Sequence, residues 1–231
     1  MKRDLIITID GPAGSGKSTV SMALAMRLSY LYLDTGALYR AVAYLIDRNG
    51  VAVSDEHTLH ELLKNPDIRL QKSEYGLQVY VNGEDVTGDL RTEEIGLMAS
   101  NISALPLIRE TLLPIQRKAG ASGGIVAEGR DMGTVVFPDA DVKFFLEASE
   151  SERINRRFKE LSNRGDDIAY GNIAKNMRQR DRQDRERTVA PLRPHKDAVI
   201  IDTSSMTITD VVERMLGIIN TSLASNSLDL L

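Results

Sequence analysis

The chain has 231 residues, of which 42% are hydrophobic, and a formal net charge of −4. This length and composition suit one α/β domain with a sizeable core and room for an insertion. Because the sequence has no cysteine, it excludes a disulfide framework, a thiolate metal site and a thiol nucleophile. The net negative charge argues against a general nucleic-acid binder, no apolar run approaches membrane-spanning length, and the N-terminus lacks the apolar core of a signal peptide. We therefore expect a cytoplasmic protein with no nucleic-acid or membrane partner.

The first predicted element is a buried strand at 5–9, because this run is apolar and β-branched. A helix is predicted after it, where Val20, Leu24 and Leu28 recur every four residues. The stretch between them fits the phosphate-loop pattern G-x-x-x-x-G-K-[ST] at every fixed position. It consists of Gly11, Pro12, Ala13, Gly14, Ser15, Gly16, Lys17, Ser18 and Thr19.

This loop predicts a nucleotide site. Glycines let successive backbone N–H groups approach one phosphate, and the following helix adds its unpaired N–H groups and the positive end of its dipole. Lys17 can then reach the β- and γ-phosphates, and the Ser18 hydroxyl can ligate Mg²⁺. The alternative is a chance glycine-rich turn before an ordinary helix, but the order of strand, loop and helix favours nucleotide binding.

A second short strand is predicted at 31–33, followed by turn and capping residues and a helix from Ala37 to Arg48. Tyr39 and Arg40 fall in the first turn of that helix, beside the end of a strand. Ligands in open α/β sheets bind outside the carboxyl ends of the strands, which makes both residues site candidates. A solvated arginine and a half-buried tyrosine are the structural alternative.

The region from about 66 to 91 predicts a small antiparallel meander, most simply an insertion. Asn82-Gly83 between alternating residues is a strong hairpin signal, and Glu74-Tyr75-Gly76 marks the preceding turn. Two helices are predicted near 92–102 and 107–118, and they carry Ser100 and Arg109.

The third strand, at 125–127, runs directly into Glu128-Gly129-Arg130-Asp131. An arginine and a carboxylate at a strand end are costly to bury unless they are paired or bound to a ligand. An internal ion pair between Arg130 and Asp131 is therefore one interpretation, and a binding site is the other.

A fourth strand is predicted at 142–146, and the capping box at 149–152 opens a helix that presents Arg153 and Arg157 one turn apart. A polar loop at 163–167 separates that helix from an arginine-rich helix that ends near 187. A fifth strand at 199–201 and an amphipathic helix at 208–223 follow, before a tail expected to fray. Five strands alternating with helices predict a doubly wound parallel sheet.

The arginine-rich helix carries one stripe with spacings of four, three, four and three residues, formed by Ile173, Met177, Arg180, Asp184 and Arg187. The stripe begins apolar and ends charged, which predicts a polar partner on its inward side. We expect its charged end to line a substrate pocket, with Arg178, Arg182 and Arg185 facing solvent. A self-contained pair of Asp184 with Arg180 or Arg187 is the alternative.

Taken together, these motifs resemble bacterial-type cytidylate kinase. The resemblance is carried by the phosphate loop and by three further stretches: DTGALYR at 34–40, EGRDMGTVVFP at 128–138, and RDRQDR at 180–185 continuing to APL at 190–192. It covers nearly the whole chain, including the meander of the long form. One departure is Glu128, where many members carry aspartate.

The resemblance implies a single P-loop nucleoside monophosphate kinase domain over 1–231, with an inserted monophosphate-binding subdomain at about 62–120 and a lid region at about 153–172. It implies transfer of the ATP γ-phosphoryl group to CMP or dCMP with Mg²⁺, and we expect a monomer. The expected ATP site is the loop from Gly11 to Thr19, with Ser18 on the metal. The expected catalytic residues are Lys17, Arg130, Arg187, Arg153 and Arg157, with Arg164 also in the lid. The expected CMP site comprises Thr35, Tyr39, Arg40, Ser100, Arg109, Arg130, Asp131, Arg180, Asp184 and Arg187.

Three other functions remain open at this stage. A GTPase-type switch would need a guanine-reading Asn-Lys-x-Asp, which the sequence lacks. A thymidylate or adenylate kinase is a nearer alternative. A nucleotide-binding regulator without turnover is the third.

Overall fold

The computed structural model describes residues 4–73, 76–165 and 168–228. The first half of the chain forms β1 (Ile6–Asp10), α1 (Lys17–Leu28), β2 (Leu31–Asp34), α2 (Thr35–Arg48), α3 (Glu56–Leu63), β3 (Ile68–Ser73), β4 (Gly76–Val81), β5 (Glu84–Asp85), α4 (Glu93–Ile102) and α5 (Pro106–Ala119). The second half forms β6 (Ile125–Gly129), β7 (Val142–Glu147), α6 (Glu150–Arg164), α7 (Tyr170–Glu186), β8 (Val199–Asp202) and α8 (Ile208–Leu228).

A five-stranded sheet in the order β2-β6-β1-β7-β8 lies at the centre of the fold. Every neighbouring pair of strands in it is parallel, with Asp10 opposite Gly129 and Asp34 opposite Glu128. Apolar residues from α1 and α8 pack with β1 and β7 in one core cluster, and β6 also contributes to a second cluster. The predicted parallel sheet with flanking helices is confirmed, and its strands end together at one edge.

The helices that follow β1 and β2 begin at that edge. Helix α2 starts two residues earlier than predicted, because the Asp34 carboxylate accepts a hydrogen bond from the Ala37 N–H at 3.0 Å and caps the first turn. Its apolar face is buried in a third core cluster with the insertion. The helix thereby joins the sheet to the insertion.

The insertion contains the predicted antiparallel sheet, in the order β3-β4-β5. The hairpin between β4 and β5 is the two-residue turn expected of Asn82-Gly83, with φ of 53° and 83°. The turn predicted at 74–76 includes residues 74 and 75, and these two lie outside the described residues. Helix α3 was not predicted, although Asp55 caps it through the Thr58 N–H and Leu59 and Leu63 bury its inner face. Leu59 and Leu63 belong to the same core cluster as the insertion.

Helix α6 begins at the predicted capping box, but only half of the box forms. The Ser149 hydroxyl accepts from the Glu152 N–H at 3.3 Å, whereas the Glu152 carboxylate turns to Arg156 at 2.9 Å. Gly165 ends the helix in a left-handed conformation, and the rest of the predicted loop, at 166 and 167, lies outside the described residues. At the other end of the chain, α8 continues to Leu228 and does not end at 223.

Within the described ranges, every helix is too short or too polar to cross a lipid bilayer.

Candidate active site

The phosphate loop connects β1 to α1 at the carboxyl edge of the sheet, as predicted. Gly11 has φ of 151°, and a Cβ there would lie 2.2 Å from the Leu146 carbonyl oxygen. Gly14 has φ of 74°, and a Cβ there would meet the Arg153 carbonyl oxygen at 2.8 Å. A larger residue at either position would displace the loop. Helix α1 begins with no side-chain cap, which leaves the N–H groups of its first turn available to an anion.

Lys17 lies at the centre of this loop and is almost entirely buried. Its Nζ donates to the Pro12 carbonyl oxygen at 2.8 Å, so the lysine closes the loop on itself. Burial, together with the nearby Arg130 guanidinium, lowers the pKa of Lys17 to about 7. A phosphate anion at this position would favour the charged ammonium and would take over from the carbonyl as its partner.

Two side chains from elements that are distant in sequence form hydrogen bonds to backbone carbonyls of the phosphate loop. Arg153, in α6, donates from Nη1 to the Ala13 carbonyl oxygen at 3.0 Å and pairs through Nη2 with Asp181 at 2.7 Å. Thr203 Oγ1 lies 3.0 Å from the Ser15 carbonyl oxygen. These contacts fix the loop to the start of α6, to α7 and to the end of β8.

Three carboxylates mark the ends of neighbouring strands at the loop. Asp10 accepts from the N–H groups of Met132 and Gly133, each at 2.8 Å, and burial raises its pKa to about 7. Asp34 pairs with Arg40 Nη2 at 2.8 Å. Glu128 is buried like Asp10, and burial raises its pKa above the usual range.

Glu128 and Ser18 together present oxygen atoms that suit Mg²⁺. Ser18 Oγ donates to Glu128 Oε2 at 3.1 Å, and the other oxygen of Glu128 accepts from the Tyr32 hydroxyl. Mg²⁺ prefers oxygen ligands and is commonly held by one or two carboxylates together with substrate phosphates and water. Within the described ranges no group of three or more His, Cys, Asp and Glu side chains could hold a metal ion. Ser18 and Glu128 would fit an ion that is also held by substrate phosphates and water.

Beside the loop lies a cavity of about 650 Å³, a volume typical of small-molecule sites. Its walls come from α1 and α2, from the insertion helix α4, from the end of β6, and from α6 and α7. Four stripe residues of α7 and Arg187, which follows the end of the helix, all line it, whereas Arg178, Arg182 and Arg185 are exposed. The stripe therefore faces the side that its spacing predicts.

The charged side chains in this cavity pair across elements. Arg130 Nε contacts Asp184 Oδ2 at 2.8 Å. Asp131 accepts from Arg109 Nη2 and lies 3.8 Å from Arg187 Nη2. Neither the Arg130–Asp131 pair nor the pairing of Asp184 with Arg180 or Arg187, both considered from the sequence, is formed.

Arg180 is the exception to this pairing. Its Nε is buried and has no hydrogen-bond partner among the residues that the structure describes. Burial lowers the pKa of Arg180, and the neighbouring Arg130 cation lowers it further. A largely desolvated guanidinium that lines a cavity is satisfied by an anionic ligand.

The arginines of the expected lid have different surroundings. Arg157 lines the cavity and pairs with Glu93 of the insertion and with Glu160 at 2.8 Å. Arg164 lines the cavity near the end of α6 and pairs with Glu160. Arg153 does not line the cavity, because its guanidinium is occupied by the loop carbonyl and Asp181. In this arrangement Arg153 supports the phosphate loop, and its catalytic role stays a prediction from the resemblance.

The structure brings most of the predicted site residues to this one cavity. Those that line it are Ala13, Gly14, Lys17, Ser18, Thr19, Thr35, Tyr39, Arg40, Ser100, Arg130, Asp131, Arg157, Arg180, Asp184 and Arg187. Of the remainder, Arg109 lies behind Asp131 with its guanidinium 5.9 Å from the Tyr39 ring. The others, which lie outside the lining, are Gly11, Pro12, Ser15, Gly16 and Arg153.

Sequence reasoning missed the site roles of several polar residues, namely Asp10, Tyr32, Asp34, Glu93 and Thr203, although Asp34 was expected as a turn and capping residue. A usable signal existed for two of them. Asp10 and Asp34 are the last residues of their strands, and polar residues at the carboxyl ends of parallel strands belong to the ligand-binding edge. The partners of Glu93 and Thr203 lie 64 and 188 residues away, so no local pattern indicates their roles.

A parallel sheet, a phosphate loop at its carboxyl edge and an adjacent arginine-lined cavity define a P-loop kinase. The family model described as "Cytidylate kinase" matches residues 7–221. The chain belongs to the cytidylate kinase family.

Sequence similarity to named relatives extends over almost the whole chain. A cytidylate kinase of Geobacter sp. strain M21 is 50% identical over 211 residues, which are 91% of each chain. A cytidylate kinase of Vibrio parahaemolyticus is 46% identical over 95% of this chain and 97% of its own. A solved structure of an uncharacterized protein from Eubacterium ventriosum covers 95% of this chain and 99% of its own, with a TM-score of 0.50 at 13% identity. That last likeness shows the fold alone.

Proposed function

We propose that this enzyme transfers the γ-phosphoryl group of ATP to CMP and dCMP, giving CDP and dCDP, with Mg²⁺. One observation carries the proposal: the phosphate loop and a set of partly buried arginines from the ends of β6 and α7 line the same cavity. The relatives named cytidylate kinase support the choice of acceptor. The expected cytoplasmic location and monomeric state belong to the same proposal.

Phosphoryl transfer requires alignment, charge stabilisation and exclusion of water more than covalent participation by the protein. In our proposal the loop from Gly11 to Thr19 holds the ATP phosphates, and Lys17 stabilises charge on the group in transfer. Arg130 and Arg187 act between the two nucleotides, with Arg157 at the donor phosphates. Bound Mg²⁺, held through Ser18 and Glu128, would neutralise phosphate charge.

The acceptor is proposed to lie along α7. Arg180 and Arg187 would bind its phosphate, and Asp184 would accept from a ribose hydroxyl. Thr35, Tyr39, Arg40, Ser100, Arg109 and Asp131 would enclose the nucleoside. The insertion would form the monophosphate-binding lobe, and the region at about 153–172 would close as a lid that excludes water.

The decisive experiment measures phosphorylation of CMP, dCMP, UMP, AMP and dTMP by the purified chain with Mg²⁺ and ATP. The proposal requires CMP and dCMP to be the best acceptors. A preference for dTMP or AMP would indicate a different monophosphate kinase. ATP binding with no transfer to any acceptor would indicate a regulator.

The α7 stripe gives a matched pair of substitutions. We expect Arg187→Met to lower kcat/KM for CMP by roughly one to two orders of magnitude, the effect of losing a charged hydrogen bond, and to leave ATP binding nearly unchanged. Arg185→Met, on the exposed face, should be mild. Steady-state kinetics in each substrate, with ATP affinity by calorimetry, separate the two effects. Equal losses in both variants would mean that the wrong face has been assigned to the acceptor.

Asp131 is expected to select the base. Cytosine differs from uracil by an exocyclic amino group, a donor that a carboxylate accepts well. Asp131→Asn should therefore lower kcat/KM mainly for CMP and narrow its advantage over UMP. Because Asp131 also pairs with Arg109, thermal unfolding must be measured in parallel. Equal losses on both acceptors would make Asp131 a structural residue.

A further inference from the structure

Both carboxylate oxygens of Glu128 are held by hydroxyl groups. Ser18 donates to Oε2 from the phosphate-loop side at 3.1 Å, and Tyr32 donates to Oε1 from β2. The carboxylate is buried and lies near a second one, Asp34. A buried glutamate with three rotatable side-chain bonds keeps one orientation only if its surroundings fix it.

The sheet places Tyr32 where it can do this. Strands β2 and β6 are parallel, with Tyr32 opposite Val126 and Asp34 opposite Glu128. Since side chains alternate between faces along a strand, Tyr32 and Glu128 lie on the same face, two residues apart along it. The intervening Leu33 points the other way and packs with Ile125 and Ala127. The long tyrosine side chain spans the offset and brings its hydroxyl to the carboxylate.

We infer that Tyr32 is a positioning residue that fixes the Glu128 carboxylate towards Ser18, in the orientation that receives Mg²⁺ with the nucleotide. The inference rests on the proposed Mg²⁺-dependent function. Tyr32 lines the cavity, and its role in this inference is to act through Glu128 rather than to bind the phosphates or the ion itself. Residues that orient a metal ligand in this way typically change metal affinity or activity by 10- to 100-fold when they are removed.

Tyr32→Phe tests the inference, because it keeps the ring and its packing and removes only the donor to Oε1. Tyr30→Phe is the matched control. Tyr30 also belongs to the β2 side of the sheet, and its hydroxyl accepts one hydrogen bond, from the Leu5 N–H at 3.1 Å, away from Glu128. Both variants lose one hydroxyl and one hydrogen bond, so a general loss of stability affects them alike.

Calorimetric titration of ATP, with and without Mg²⁺ and with no acceptor present, supplies a readout that does not depend on turnover. We expect Mg²⁺ to tighten ATP binding in the wild type and in Tyr30→Phe. In Tyr32→Phe this Mg²⁺-dependent gain should shrink by roughly tenfold, with ATP affinity in the absence of Mg²⁺ unchanged. A full Mg²⁺ gain in Tyr32→Phe overturns the inference and leaves the proposed kinase activity intact. A wild type that gains nothing from Mg²⁺ contradicts the metal assignment itself.

A double-mutant cycle tests whether the effect of Tyr32→Phe on Mg²⁺-dependent ATP binding is transmitted through Glu128. Glu128→Ala removes the carboxylate, so no group remains for the Tyr32 hydroxyl to position. Adding Tyr32→Phe to Glu128→Ala should then change the Mg²⁺ gain little, although Tyr32→Phe alone changes it strongly. Additive effects would show that Tyr32 does not act through Glu128.

Discussion

Lys17→Ala is expected to lower kcat by at least about 10²- to 10³-fold, the loss typical of one preorganised electrostatic donor. The ammonium of Lys17 lies at the centre of the phosphate loop and contacts a loop carbonyl, which a phosphate oxygen can replace. Its effect should appear mainly in kcat, because charge develops on the transferred group during the reaction.

The fold should survive this substitution, since burial already disfavours the lysine charge and lowers its pKa to about 7. Thermal unfolding and kcat should be measured together on Lys17→Ala and on Lys175→Ala, a control at an exposed position of α7. Near wild-type turnover in a correctly folded Lys17→Ala protein would remove Lys17 from the mechanism.

Arg180→Met is expected to weaken CMP binding without lowering the thermal stability of the free protein. The KM for CMP should rise by roughly 10- to 100-fold, because a charged hydrogen bond to the acceptor is lost. The melting temperature without nucleotide should be at least as high as that of the wild type, because the substitution removes a buried guanidinium nitrogen that has no hydrogen-bond partner among the described residues. Functional sites often carry such a cost to stability.

Arg182→Met is the control, since Arg182 is exposed on the same helix. It should change neither the KM nor the melting temperature appreciably. A clear drop in melting temperature for Arg180→Met would mean that Arg180 stabilises the free protein, which would contradict its assignment to the acceptor phosphate.

The sequence predicted the sheet and the phosphate loop well, because both depend on local patterns. The apolar runs of the five strands, the glycines of the loop and the Asn82-Gly83 turn each have a backbone or burial requirement that few residue types meet. The α7 stripe faces the cavity for the same reason: helical spacing alone decides which residues share a face. Helix α3 was missed although its Asp55 cap and leucine spacing were visible.

The charge pairing could not be predicted, because it depends on which elements meet in three dimensions. Arg130 and Asp131 are adjacent in sequence but point to different partners, Asp184 of α7 and Arg109 of α5. Arg153 shares the spacing of Arg157 on α6 and has a different environment, since only Arg153 reaches the phosphate loop. Residue type and spacing identified the charged groups, and the tertiary fold determined which of them remain available to a ligand.

The contacts that anchor the start of α6 determine which part of the proposed lid would move. Arg153 binds the loop, and Arg156 donates to the Thr203 carbonyl oxygen at 2.6 Å, so in the proposed motion the first two turns of the helix would stay fixed and act as the pivot. The lever from Arg156 to Arg164 is about 12 Å long, and a swing of about 15° would carry its tip by about 3 Å. Arg157, next to the pivot, would travel less than about 1 Å in the same swing. Movement of the helix backbone would thus carry Arg164 to the bound phosphates. Arg157 would instead have to break its ion pair with Glu93 and rotate its own side chain towards them.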